Sequence, residues 1–493
     1  MQAEHFDVLI VGAGISGICT AYHLQDKFPN KSFAILERRA VLGGTWDLFR
    51  YPGIRSDSDM YTLGFPFRPW TDPTSIADGD AILRYMRDTV AEFGIDKYIR
   101  YNYGVEKAMW SSADARWTLR VRDASTGSEC KLSCSFLLMC AGYYSYQGGY
   151  TPEFKGREDF EGRILHPQDW SAEDKDAHDG KEVVIIGSGA TAVTLLPKLA
   201  GKAKHVTMLQ RSPTYVVTRP SVDPAAGVLG KLLPKGLAYR LLRWKSIWYT
   251  IITYALSRRY PERAKATLID AMQRDLGDDF DVKRHFTPQY NPWDQRVCLD
   301  KDGDFFKALR GDDADVLTEH IDRFTPRGIL LRSGQELPAD LIITATGLEL
   351  LFMGGAEIFV DGAQVHSSQL MTYKGMMFSD VPNLVNLAGY TNASWTLKAD
   401  LTAKYACRLL AYMDRHGHTY CCPRLKDKEA LRLPLLDFTS SYVQRSVHEF
   451  PSQGKAPPWR VYQNYMLDLM AARLARVDDG VMQFGGGRGS AKP

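Results

Sequence analysis

The chain has 493 residues, 45% hydrophobic and 24% charged, with 61 Lys and Arg against 58 Asp and Glu for a net charge of +3. Those figures describe a globular protein of more than one domain. They exclude a collagen, a disordered tail, a disulfide scaffold and the basic footprint of a nucleic-acid binder.

In chain order, the first element is a short apolar run at residues 6–11 (FDVLIV), typical of a buried parallel strand. Gly12-Ala-Gly14-Ile-Ser16-Gly17 follows, then an amphipathic stretch to about Lys27, a second strand at 32–36, and Glu37 twenty residues after Gly17. A GxGxxG turn is weak alone. Set between strand and helix, with an acid at that distance, it marks a dinucleotide site. Gly12 permits the tight turn, Gly14 lets backbone approach a pyrophosphate, Gly17 lets helix and strand pack closely, and Glu37 accepts from a ribose diol. The free N–H groups at the helix start then stabilise the phosphates. With its acid, this unit is expected to hold FAD.

Residues 101–142 read as short alternating strands that end in the buried run 136–140 and Gly142. The nucleotide design then recurs: a strand at 182–186, the turn Gly187-Ser188-Gly189-Ala190-Thr191-Ala192, a helix from Val193, and a returning strand at 205–209. This strand ends in Gln210-Arg211-Ser212 instead of an acid. A guanidinium and a hydroxyl suit a 2′-phosphate, so NADPH is expected here. A second strand closing on glycine runs from Asp340 to Gly347. The expected fold is α/β, with two doubly wound, Rossmann-like domains. The FAD domain is expected over 1–145 and 376–493, the NADP domain over 151–375, with helices inserted at about 221–290. Hinges near 143–150 and 371–375 would let the second domain rotate.

Residues 246–256 (SIWYTIITYAL) are apolar and aromatic, flanked by Arg243, Lys245, Arg258 and Arg259. A bilayer span needs about 20 apolar residues, so a packed helix is expected, with a membrane-surface helix as the alternative. The glycine-rich tail from Phe484 is expected to be disordered. The eight cysteines form no CxxC pair and no zinc spacing, and several lie in apolar runs, so reduced thiols and no metal are expected. The chain opens on a strand-like segment and not on a signal, which leads us to expect a cytoplasmic enzyme, at most peripheral to a membrane. Oligomeric state is not legible.

Between the two units lies Phe160-x-Gly162-x-x-x-His166-x-x-x-Trp170. This resembles the signature of the type I Baeyer–Villiger flavin monooxygenases, with Ser171 where relatives carry Pro or Asp. Gly43-Gly44-Thr45-Trp46, residues 50–57 and Pro292-Trp293-Asp294-Gln295-Arg296 extend the resemblance over nearly the whole chain. Residues 391–395 (TNASW) resemble the subgroup containing the ethionamide-activating monooxygenase.

The resemblance implies an FAD enzyme that uses NADPH and O₂ to insert oxygen beside a ketone carbonyl, giving an ester through a C4a-peroxyflavin. It also implies oxygenation of sulfides or thioamides. In the family an arginine, here Arg296, supplies the fixed cation that an anionic peroxide needs, and its carboxylate partner falls on Asp57. Gln295 stands where relatives often have lysine near the NADPH phosphate, which puts more weight on Arg211. Gly44-Thr45-Trp46-Asp47-Leu48 and Arg55-Ser56-Asp57 would line the flavin side. Ser16 and Val105 would contact pyrophosphate and adenine, and Ala192 and Val193 would open the second helix at NADPH. His166 is expected to organise the linker rather than move protons. Asn392 and Trp395 either approach nicotinamide or substrate, or simply pack. Three other readings compete: a flavin monooxygenase confined to sulfur or nitrogen, which has no need of Arg296; a disulfide reductase, which needs a cysteine pair beside the flavin; and a non-catalytic nucleotide sensor.

Overall fold

The apolar run at the start of the chain forms the strand Glu4–Val11, paired in parallel with Phe33–Leu36 on one side and Glu129–Met139 on the other. Being flanked on both sides and covered on both faces, it is apolar and buried from Val8 to Val11. The computed structural model describes residues 3–427, 429, 431–436 and 438–486. The first sheet runs Ala363–Val365, Glu357–Val360, Tyr103–Ser111, Arg116–Asp123, Glu129–Met139, Glu4–Val11, Phe33–Leu36, Ile99–Arg100, with Leu384–Asn386 also beside Glu129–Met139. The second sheet is parallel, in the order Ala314–Thr318, His205–Gln210, Glu182–Ile186, Leu341–Thr344, Arg163–Leu165. Its last strand comes from the signature segment between the units. The two strands expected to close on glycine sit directly beside the first strand of each unit. Both units are doubly wound α/β, as the duplicated pattern implies.

The expected boundary at 376 lies too late. The chain rejoins the first sheet at Glu357, pairing with Tyr103–Ser111, because Ile358 buries in the core that Trp110 and Trp117 share. Residues 371–375 are no connection between the sheets: Thr372–Tyr373 pairs with Met377–Phe378, and Tyr373 is fully buried. The crossing segments are Tyr144–Gly149 and Leu348–Leu350, which pair with each other antiparallel. The tail also differs, since Met482–Gly485 pairs with Tyr420–Pro423; the rest of the expected disordered tail, from residue 487, lies outside the described residues.

The inserted helices are Pro224–Leu232, Lys235–Arg259, Pro261–Leu276 and Val282–His285. Residues 246–256 belong to the second of these, and no helix among the described residues is long and apolar enough to cross a membrane. Its inner face docks on the first unit. Tyr239 and Leu242 join that core, and the Arg243 guanidinium donates to the carbonyls of Tyr61 (2.6 Å) and Gly64 (2.9 Å).

The helix Trp395–His416 packs on Ile15–Lys27 and is tied to Tyr465–Arg473 by a buried ion pair. Lys398 Nζ lies 2.9 Å from Asp468 Oδ1, both side chains 3% exposed, and the Tyr390 hydroxyl donates to the other carboxylate oxygen at 2.7 Å. Removing one member of such a pair strands a charge out of water. Asp468→Ala should therefore lower stability by about 3–5 kcal/mol, read as a lower melting temperature. Asp468→Asn, which keeps an acceptor for Tyr390, should lose less.

Candidate active site

Both glycine turns open onto one cavity of about 1130 Å³. Gly12 has φ +105°, and a Cβ there would lie 2.6 Å from the Cys140 carbonyl oxygen. Gly187 repeats this, with φ +132° and a Cβ that would overlap the Ala345 carbonyl. Gly17 has no room either, because a Cβ would overlap the Gly12 carbonyl. The middle glycines differ. A Cβ at Gly14 would meet only Gly44 Cα, at 3.8 Å, and one at Gly189 would meet nothing within 4 Å. Bare backbone at a helix start facing open space is the cradle a pyrophosphate needs. The residues present therefore fit two dinucleotides.

Glu37 is 3% exposed, and its two oxygens each accept one backbone N–H, from Ala13 at 2.8 Å and Arg39 at 2.9 Å. Each oxygen keeps a lone pair for a ribose diol. Burial pushes its pKa up, and the two N–H bonds pull it back. Ser16 accepts from the Trp395 indole N–H at 2.8 Å, and Trp395 stacks on Tyr143 with centroids 5.2 Å apart.

Of the residues expected around the flavin, Gly12, Gly14, Ser16, Glu37, Gly44, Thr45, Trp46, Arg55, Ser56, Asp57 and Val105 line this cavity. Asp47 and Leu48 are not on its wall. Asp47 turns inward to Arg39 (2.6 Å) and Arg50 (3.3 Å), so it holds the turn together, and Leu48 packs on the second unit's core. In the second unit Gly187, Ser188, Gly189, Ala190, Thr191, Arg211 and Ser212 line the cavity, whereas Ala192 and Val193 are fully buried. Gly17, Ala192 and Val193 thus act through packing.

Arg296 stands on the cavity wall, donates to the Tyr143 hydroxyl at 3.4 Å and faces Tyr442 and Tyr144. Burial opposes its charge, but the three phenol oxygens outweigh burial and hold its pKa well above the ordinary value. Asp57 opens onto the same cavity, yet protein encloses the rest of it, which pushes its carboxyl pKa up against the pull of Arg55 and Arg296. The two groups act on each other through space and are not in ion-pair contact. That differs from the direct partnership the resemblance implies: the guanidinium is turned to the tyrosines.

Several wall residues escape sequence reasoning. Tyr143 and Tyr442 are two among 25 tyrosines, with no motif to single them out. His320 and Arg332 line the cavity near Arg211, because the Glu319 N–H donates to the Gln210 carbonyl (3.0 Å) and the Arg332 N–H to the His320 carbonyl (2.9 Å). Among the described residues Arg211, His320 and Arg332 form no ion pair. Cys19, His23 and Asp400 gather metal-type ligands, but Asp400 already meets His23 (2.8 Å) and Lys404 (2.7 Å), one per oxygen, so this is an ion-pair cluster. All eight cysteines are free thiols.

Residues 55–229 match the FMO-like family, described as flavin-binding monooxygenase-like, and residues 10–72 match an NAD(P)-binding Rossmann-like domain. The chain is 52% identical over 484 residues to the FAD-containing monooxygenase EthA of Mycobacterium tuberculosis H37Rv, with 98% of each chain covered. The chain belongs to the EthA family of FAD-containing monooxygenases. To EthA of Mycolicibacterium smegmatis this EthA-family chain is 53% identical, again over 98% of each. Its fold is similar to that of oxidized steroid monooxygenase bound to NADP, with a TM-score of 0.75 at 21% identity over 98% of this chain and 100% of that one. It is an FAD-containing monooxygenase with an NAD(P)-binding Rossmann-like segment, and its two turns fit two dinucleotides.

The signature segment of this EthA-family enzyme stays off the cavity wall. Phe160 and Trp170 are buried in the second unit, and Gly162 has no room for a Cβ, which would lie 2.6 Å from the Asp340 carbonyl oxygen. Ser171 caps the next turn together with Asp174. His166 Nδ1 accepts from the Gln168 N–H (3.1 Å), so Nε2 carries the proton and donates to the Gly347 carbonyl (3.2 Å). The ring thus fastens this segment to the second crossing strand. Burial lowers the His166 pKa from 6.5. The unfolded chain therefore takes up this proton more readily, and the associated stability is lost as pH falls through about 6.5. His166→Asn keeps an acceptor for Gln168 and cannot titrate. Its melting temperature should fall less between about pH 7.5 and pH 5.5 than that of the parent.

Proposed function

We propose that the enzyme uses NADPH and O₂ to insert one oxygen atom beside the carbonyl of a ketone, giving an ester, and that it also oxygenates sulfides or thioamides. The observation that carries this reading is Arg296, a permanent cation ringed by tyrosines on a cavity wall that both cofactor turns share. Oxygen transfer to sulfur has no need of such a cation. Attack on a carbonyl builds negative charge on oxygen, and a fixed guanidinium with several donors suits that charge.

When bound, FAD supplies the redox and O₂ chemistry and NADPH the hydride. The chain's own residues bind and orient. Gly14, Ser16 and Glu37 hold the first dinucleotide, Gly189 the second, and Arg211 with Ser212, His320 and Arg332 faces the 2′-phosphate. Asp57 tunes Arg296 from across the cavity. A second cavity of about 50 Å³ adjoins Arg296 and is walled by Phe352, Leu435, Leu436, Phe438 and Phe450. At this size it holds no whole substrate, but its apolar walls suit the hydrocarbon end of an aliphatic or aryl ketone or a thioether seated in the main cavity. In this reading, among the described residues, the FAD domain comprises 3–145 and about 357–486, and the NADP domain about 151–350.

Arg296→Ala should leave anaerobic flavin reduction by NADPH intact, followed by flavin absorbance, while ester formation falls by at least ~100-fold. Ketone turnover at the parent rate would overturn the assignment. A parent enzyme that oxygenates thioethers but no ketone would favour the heteroatom reading instead. Arg211→Ala should raise the KM for NADPH by roughly 10–100-fold and leave that for NADH nearly unchanged.

A further inference from the structure

Seventeen large apolar side chains are exposed among the described residues, and ten of them lie on the successive helices Pro224–Leu232 and Lys235–Arg259 or at the adjoining Tyr260. Leu237, Leu241, Trp244, Trp248, Ile252 and Leu256 recur at intervals of three or four, so they form one stripe about 28 Å long on the longer helix. Tyr465 meets Trp244 edge-on at 6.1 Å, which brings exposed Leu467 and Met470 alongside. The stripe is not unfinished packing within the chain. The opposite side of the same helix is already filled by Tyr239, Leu242 and Ile247 and locked by Arg243.

The two helices themselves carry cations only; Lys245 pairs with Asp223 just ahead of them and Arg258 with Asp294, which leaves Lys231, Lys235, Arg240 and Arg259 without an ion pair among the described residues. Residues 224–261 contain seven Lys and Arg and no Asp or Glu, and all but Arg243 are exposed. A flat helix with an apolar stripe, indoles among its exposed side chains and flanking cations matches the boundary between headgroups and acyl chains. A second copy of the chain would match the apolar stripe but would set like charges against each other. At its far end the helix abuts the loop that leads to Arg296: Tyr254 lies edge-on to Trp293 at 5.5 Å, and Arg258 pairs with Asp294 at 2.5 Å.

We propose that this face docks the enzyme reversibly on an anionic lipid bilayer, with the stripe at the acyl boundary and the cations on lipid phosphates. The test is sedimentation of the FAD-loaded full chain with vesicles of phosphatidylcholine, alone or with about one-quarter phosphatidylglycerol. The enzyme should pellet with the anionic vesicles, bind neutral ones more weakly, and release at ~0.5 M salt. The double variant Trp248→Glu/Ile252→Glu should bind roughly tenfold more weakly with its flavin absorbance unchanged. Lys231→Glu/Arg240→Glu should lose the preference for anionic lipid. A parent enzyme that stays in solution with both vesicles overturns the proposal, as does a stripe variant that binds like the parent. If light scattering finds a parent dimer that the stripe variant dissolves, and no vesicle binds, the face belongs to a second copy.

Discussion

In both units the carbonyl at the end of a closing strand occupies the space where a turn residue's side chain would sit. Cys140 does this to Gly12, and Ala345 does it to Gly187. Both glycines also hold a positive φ that a side chain would strain. Strand, turn and helix are thereby set at one angle in each unit, and the starts of Ile15–Lys27 and Ala190–Leu199 face the same cavity. The two turns, and the helix starts they aim into the cavity, take their positions from this contact made twice.

What the sequence makes legible is local. A glycine turn between strand and helix, an acid or an arginine at the end of the next strand, and an apolar run closing on glycine are short-range patterns with short-range physics. They place both sheets and most of the cofactor wall. What escapes depends on the fold. Asp47 sits in a motif, yet Arg39 and Arg50 claim its carboxylate. Glu357–Val360 is a four-residue strand whose pairing with Tyr103–Ser111 no local pattern announces. Tyr143 and Tyr442 meet Arg296 from opposite parts of the chain.

The signature segment and Arg296 divide the labour. The signature works mechanically: Gly162 permits a close backbone approach, and His166 ties two segments together from behind the cavity-lining Gly347. In the proposed function Arg296 works electrostatically. Phenol oxygens hold it without neutralising it, and the Asp57 carboxylate acts without ion-pair contact. Among the described residues Arg296 forms no ion pair, so its charge is left to act on the cavity it lines.

The hydrogen bond from Trp395 to Ser16 spans 379 positions of sequence. The first nucleotide turn is therefore finished by one of the later parts of the chain. Leu384–Asn386, which pairs with the closing strand Glu129–Met139, arrives just as late. During synthesis from the N-terminus, the glycine turn emerges hundreds of residues before the partners that complete it. Flavin capture is thus a late event in the life of the nascent chain, after the second unit has had the opportunity to fold.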